Sequence, residues 1–238
     1  MLVGTLLERL AEDPGAAGLF FDIDGTLAPI VARLDLAVVP AVTRAELERL
    51  ARSYSLVACV SGRTAADAER VVDVEGIRYV GEHGLELDPA ADGWAEKLAA
   101  FAARVDWPAE EGKRLTLAFH FRGAGDEAEA VRTLREIANE ALAEGLRPRW
   151  GRKVLEVRPP LEVHKGTAVR RLLAESSLRR ALYAGDDATD LDAFAGLDGL
   201  EVAVRVAVVS DEGPNELGHA ADLIVGGPDE LLGLLRQL

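Results

Sequence analysis

Two aspartates, Asp22 and Asp24, stand one residue apart at the end of the apolar run Leu19-Phe20-Phe21, and Gly25-Thr26-Leu27 follows them. Carboxylates held that close repel each other unless a cation or a shared proton intervenes. The pair therefore points to metal-assisted acid/base or nucleophilic chemistry, with a capped, Asp-rich turn as the plain alternative. Three later segments offer complementary groups. Ser61 follows the apolar run Leu56–Val60 and opens Ser61-Gly62-Arg63, so it brings a hydroxyl and helix-start N–H groups suited to a phosphate. Lys165, in His164-Lys165-Gly166, is a compact cation ahead of a helical stretch. Asp186, Asp187 and Asp190 follow Ala181-Leu182-Tyr183-Ala184-Gly185, and Asp186 with Asp22 could hold Mg²⁺ through oxygen ligands. Each segment alone reads as readily as a cap or a solvated turn. Together they form the set that phosphoryl transfer needs, because cation and lysine offset the repulsion between the carboxylates and a phosphate dianion.

The elements that must position these residues read as an α/β fold. Apolar runs ending at Phe21, Val60, Val80 and Ala184 predict buried parallel strands, and the stretches between them predict helices from Pro40 to about Arg52 and from about Thr64 to Val72. All strand C-termini of a parallel sheet share one edge, so segments far apart in sequence can meet there. Beyond Ile77–Val80 the segment Gly81-Glu82-His83-Gly84 predicts a turn with a hairpin return at Leu85–Leu87. The turn-rich Asp88–Gly93 and the pair Pro159-Pro160 bracket a stretch of different character. Within it Leu115–Phe121 alternates strictly, with large apolar residues at odd positions, which predicts a sheet with one covered and one open face. A helix from Asp126 to about Glu144 and a strand at Lys153–Val157 complete this part. The expected fold is a doubly wound, mostly parallel, Rossmann-like sheet formed by residues 1–88 and 161–238, with an inserted small α+β unit at 89–160. Short strands at Glu201–Val206 and Asp222–Val225 and a C-terminal helix from Pro228 finish the larger unit.

Composition narrows the function. The 238 residues are 49% hydrophobic and carry a net charge of −14, which argues against nucleic acid and anionic membrane as partners. That charge falls almost wholly outside the insertion, which fits a less acidic lid over an acidic core. The single cysteine, Cys59, lies within an apolar run and reads as core. Trp94, Trp107 and Trp150 all fall in the insertion and read as packing rather than sugar stacking. His83, His164 and His219 have no metal-site spacing. With no signal-like start and no run long enough to span a membrane, a cytoplasmic soluble protein is expected, as a monomer.

The ordered segments Asp22-Ile-Asp24-Gly25-Thr26, Ser61, Lys165 and Gly185-Asp186-Asp187-Ala-Thr-Asp190 resemble the four motifs of the haloacid-dehalogenase-like phosphohydrolases, and the insertion resembles that superfamily's cap. A finer resemblance is to the trehalose-6-phosphate phosphatases. It rests on Asp24-Gly-Thr-Leu-Ala-Pro-Ile30, Val60-Ser-Gly-Arg63, Gly81-Glu-His-Gly84, Glu111-Gly-Lys113, His120-Phe-Arg122 and Glu156-Val-Arg-Pro159. The resemblance implies that Asp22 is a nucleophile and Asp24 an acid/base. It implies that Asp22, Asp24 through its carbonyl, and Asp186 hold Mg²⁺, with Asp187 or Asp190 assisting. Ser61, Gly62, Lys165, Gly25 and Thr26 would surround the phosphoryl group. Arg63, Glu82, His83, Glu111, Lys113, His120, Arg122 and Glu156 would meet a small sugar phosphate. One departure stands out: Leu191 follows Asp190 where that family usually has an acidic residue. Other sugar phosphates, such as sucrose 6-phosphate or a mannosyl phosphate, a phosphosugar mutase, and a non-catalytic regulatory domain are the alternatives.

Overall fold

The computed structural model describes residues 3–31, 34–107, 113–151, 153–210 and 213–238. The chain divides into two compact units, Met1–Gly84 with Val163–Leu238, and Leu85–Glu162. No helix among the described residues is long and apolar enough to cross a membrane.

In the discontinuous unit the elements run in order. They are α1 (Val3–Ala11), β1 (Ala17–Phe21), α2 (Ala41–Ser53), β2 (Leu56–Val60), α3 (Ala65–Val72) and β3 (Arg78–Val80). The continuous unit contributes α4 (Ala95–Ala102), β4 (Leu117–His120), α5 (Glu127–Ala143), β5 (Arg147–Gly151) and β6 (Val154–Arg158). The chain then returns through α6 (Lys165–Glu175), β7 (Arg180–Gly185), α7 (Asp190–Gly196), β8 (Val202–Val208), α8 (Asn215–Ala220), β9 (Leu223–Val225) and α9 (Pro228–Leu235).

The larger sheet has the order β3-β2-β1-β7-β8-β9, and every pairing is parallel. The chain builds outward from β1 in one direction, then restarts on its other side with β7, so β1 and β7 flank the switch point where open parallel sheets bind ligands. β1 is buried along its whole length, as a strand covered on both faces must be. Leu19 and Phe21 join Val57, Cys59, Leu182, Val204, Leu47 and Leu231 in one core. The alternate residues Phe20, Ala58 and Tyr183 point to the other face and are equally buried.

The expected hairpin return at Leu85–Leu87 does not form. Glu82–Leu87 runs as successive 3-10 turns. Left-handed backbone at Glu82, His83 and Gly84 coils the segment, and its N–H groups bond locally, Gly84 N–H to the Gly81 carbonyl and Asp88 N–H to that of Leu85.

The continuous unit is a three-stranded antiparallel sheet, β4-β6-β5. Leu117, Phe119, Leu155 and Val157 face a core with Leu98, Phe101, Leu134 and Ile137 from α4 and α5. Asp126 starts α5 by accepting the Glu129 N–H at 2.9 Å. Trp94 and Trp107 pack against this core, and Trp150 meets Phe121 edge to face. Among the even positions of the alternating segment His120 is exposed, whereas Thr116 and Ala118 are buried.

Candidate active site

The chain leaves β1 through a tight turn. The Ile23 carbonyl accepts N–H groups from Thr26, Leu27 and Ala28, and Gly25 sits at φ +83°. A side chain at position 25 would be strained there, and its Cβ would stand 2.1 Å from Asp186 Oδ2. Asp22 continues the pairing with β7, donating its N–H to the Ala184 carbonyl at 2.9 Å. That pairing brings Asp22 beside the β7 end that carries Asp186. Thr26, fully buried, donates to Asp186 Oδ1 at 3.0 Å.

Lys165 opens α6 and is buried. Its Nζ lies 2.8 Å from Asp22 Oδ2 and 2.7 Å from Asp190 Oδ1. Burial disfavours its charge, but Asp190 and Asp22 outweigh burial and hold its pKa above the usual lysine value. Asp190, at the start of α7, accepts from four donors. Lys165 and the Tyr183 hydroxyl (2.6 Å) meet Oδ1, and the N–H groups of Asp186 and Asp187 (both 2.9 Å) meet Oδ2. Gly185 makes room for this arrangement, since a Cβ there would lie 2.2 Å from the Asp190 carboxyl carbon.

Asp22, Asp186 and Asp190 each bring a carboxylate oxygen within 4.8 Å of the others, the one such acidic group among the described residues. Burial, opposed by Lys165 and reinforced by Asp190, pushes Asp22 up to about 7. Burial together with Asp22 and Asp190 pushes Asp186 up to about 9. Ionised together, the three carboxylates would outweigh the one lysine in a buried place, and hard oxygen donors are what a divalent cation of the Mg²⁺ class takes. Because Asp190 already carries four hydrogen bonds, Asp22 and Asp186 are the residues freest to bind such an ion. Asp187 lies outside the group of three and accepts the Ala188 N–H at 2.7 Å.

Ser61 reaches the same sheet edge by register, since Phe21 pairs with Cys59. The left-handed turn grips the loop on both sides of Gly62: His83 N–H bonds the Ser61 carbonyl at 2.9 Å and Glu82 N–H the Arg63 carbonyl at 2.7 Å. The His83 ring stands where a side chain on Gly62 would have to go, 2.8 Å from that position. Glu82 and His83 are themselves buried at φ 47° and 57°, a conformation that costs a non-glycine residue about 1–3 kcal/mol and recurs at functional sites. Arg63 takes both oxygens of Asp24 in a fork, Nε to Oδ2 and Nη2 to Oδ1, each 2.6 Å, and also pairs with Asp67.

In the other unit, His120 and Glu156 share the sheet face opposite the core, because Ala118 and Arg149 pair with Glu156. Lys113 is half-buried and Arg122 exposed. Glu111 lies outside the described residues.

Two participants escaped the sequence reading. Tyr183 was visible only as a strand residue, although a buried tyrosine hydroxyl needs a partner. Asp67, four residues after Arg63 on α3, carries the helical spacing of an ion pair.

Residues 20–110 and 96–221 match the family described as trehalose-phosphatase. The trehalose-phosphate phosphatase of Mycobacterium marinum is 35% identical over 212 residues, 79% of this chain and 53% of that protein. The chain thus spans about half the length of the curated trehalose-phosphate phosphatases it matches. Among solved structures, the C-terminal domain of trehalose-6-phosphate phosphatase from C. albicans superposes with a TM-score of 0.77 at 23% identity, covering 98% of this chain and 96% of that one. A haloacid dehalogenase-like hydrolase from Bacteroides thetaiotaomicron has the same fold at a TM-score of 0.63 and 15% identity, covering 94% and 100%.

Proposed function

The chain belongs to the trehalose-phosphatase family, and from that premise we propose that it hydrolyses trehalose 6-phosphate to trehalose and phosphate with the help of Mg²⁺. The observation that carries the reading is the Lys165 ammonium held between Asp22 and Asp190 beside Asp186, at the ends of the two strands that flank the switch point.

Asp22 is the nucleophile. Its carboxylate oxygen forms a bond to phosphorus as the bond from phosphorus to the sugar oxygen breaks, and the electron pair goes to the departing oxygen. Asp24 gives that oxygen its proton. Asp24, now ionised, takes a proton from water, whose oxygen attacks the aspartyl-phosphate and frees Asp22 and inorganic phosphate. Splitting the reaction this way lets one positioned carboxyl group serve both halves. Arg63, which holds both oxygens of Asp24, fixes the plane of the ionised group in the second half, and this fork opens when Asp24 carries the proton it gives in the first. Lys165 stays charged and compensates the phosphoryl oxygens, and Ser61 and Gly62 supply hydroxyl and N–H donors. Asp22 and Asp186 would hold the Mg²⁺, with Asp190 and Thr26 orienting them. When bound, the ion supplies charge compensation for ligands that otherwise resist ionising together. In the second unit Lys113, His120, Arg122, Glu156 and Glu111 would read the sugar hydroxyls.

Phosphate release across a panel of sugar phosphates, with and without Mg²⁺, tests the reading. Trehalose 6-phosphate should give the highest kcat/KM. A clear preference for sucrose 6-phosphate or a mannosyl phosphate would reassign the substrate, and absence of release from every compound with Mg²⁺ would reject the chemistry.

A further inference from the structure

We propose that Tyr183 is a positioning residue for the reaction: its buried hydroxyl, by sharing Asp190 Oδ1 with Lys165, sets where the lysine stands against Asp22. The inference rests on the phosphatase reading given above for the consequence in turnover, but not for the geometry. Tyr183 lies in β7 with no exposed surface, paired in register with Phe20 and edge to face with Phe194 at 6.0 Å. Full burial and the Phe194 contact hold the ring, so the hydroxyl has little freedom to seek another partner. It donates to Asp190 Oδ1 at 2.6 Å, and burial with the nearby Asp190 keeps the phenol protonated and therefore a donor.

Lys165 Nζ meets two carboxylate oxygens at nearly equal distance, Asp190 at 2.7 Å and Asp22 at 2.8 Å. A carboxylate oxygen that already accepts a phenolic hydrogen bond attracts an ammonium less strongly than a bare one. The phenol thus tempers the pull of Asp190 and leaves Lys165 shared with Asp22. Without the hydroxyl, Oδ1 keeps only Lys165, and the balance shifts toward Asp190. The lysine then withdraws from Asp22 and from the phosphoryl oxygens that Asp22 would receive.

Tyr183→Phe keeps the ring and removes the hydroxyl, so it tests this directly. Partners that orient a site's own charged groups typically matter by about 10–100-fold. We expect kcat on trehalose 6-phosphate and on p-nitrophenyl phosphate to fall about tenfold together, with KM within about twofold of the parent. In an Asp190→Asn background the same change should add little, because the phenol acts through Asp190. Unchanged kcat, or an equal fall in that background, overturns the proposal. A second readout does not need turnover. The chain holds four lysines, Lys97, Lys113, Lys153 and Lys165, so lysine-selective ¹⁵N labelling resolves the buried Lys165 ammonium. Its resonance should move in Tyr183→Phe, and an unmoved resonance overturns the proposal even where Asp190→Asn does not fold. A parent protein without phosphatase activity would reject the reading of function while the resonance still decides the role of Tyr183.

Discussion

Asp190 places all its hydrogen-bonding capacity on four internal donors, and this separates it from Asp22 and Asp186, whose side chains among the described residues meet Lys165 through Oδ2 and Thr26 through Oδ1 respectively. That difference sorts the acidic residues. Asp22→Asn should reduce phosphate release by about a thousandfold or more while the fold persists, and near-parental turnover would exclude Asp22 as nucleophile. The crowded carboxylates also tie stability to pH. Asp22 and Asp186 hold protons in the folded chain up to about 7 and about 9, against 3.8 for an ordinary aspartate. Between those limits the folded state binds protons that the unfolded chain has released, so without a cation these groups lower stability as pH rises. Mg²⁺ should therefore raise the melting temperature more at pH 8 than at pH 5, and equal shifts at both would count against a carboxylate-held ion. Cys59 makes a separate test. Burial, then the charge of Asp22, raises its thiol pKa far above the usual range, so it should resist a disulfide-exchange reagent at pH 8 until the protein is unfolded. The convergence of Asp22, Lys165, Asp186 and Asp190 was legible because residue type and strand ends announce it. The partners of Tyr183 and Arg63 were not, since spacing says nothing about which distant acceptor a donor meets.

Among the elements, the close approach of α6 to α7 depends on glycine. A Cβ on Gly166 would stand 2.0 Å from the Asp192 carbonyl oxygen, and one on Gly196 would stand 2.9 Å from the Gly166 carbonyl oxygen. Backbone lies on both sides, so Gly166→Ala must push the helices apart. A loss of about 1–3 kcal/mol is expected, visible as a lower urea midpoint, along with reduced turnover because Lys165 is the preceding residue. Parental stability and activity together would show that the helices yield freely. The inner strands β1, β2 and β7 of the larger sheet were legible because burial on both faces demands continuous apolar runs. β5 was not: Arg147-Pro148-Arg149-Trp150-Gly151 lacks alternation and includes a proline, which an edge strand tolerates. α7 and α8, of seven and six residues, are too short to display a helical period. The hairpin expected at Leu85–Leu87 failed because left-handed residues, two of them not glycine, carry no signature in composition.

For the whole molecule, the division of labour lies between a discontinuous unit that holds the acidic group and a continuous one that presents His120 and Glu156 on one sheet face. If that face reads the sugar, Glu156→Gln should raise KM for trehalose 6-phosphate about tenfold, the worth of one charge-assisted hydrogen bond. Its effect on p-nitrophenyl phosphate should stay within about twofold, and equal losses on both would deny Glu156 a part in selectivity. The threading of the larger unit has a further consequence for synthesis. β1 and β2 emerge from the ribosome early, but β7, the neighbour on the other side of β1, follows only after the whole of Leu85–Glu162. The nascent chain thus carries Asp22 long before Lys165, and an open strand edge at Leu19-Phe20-Phe21 waits meanwhile for a partner. The cluster of Asp22, Lys165, Asp186 and Asp190 assembles late in translation, and the length of the insertion sets how long that adhesive edge stays uncovered.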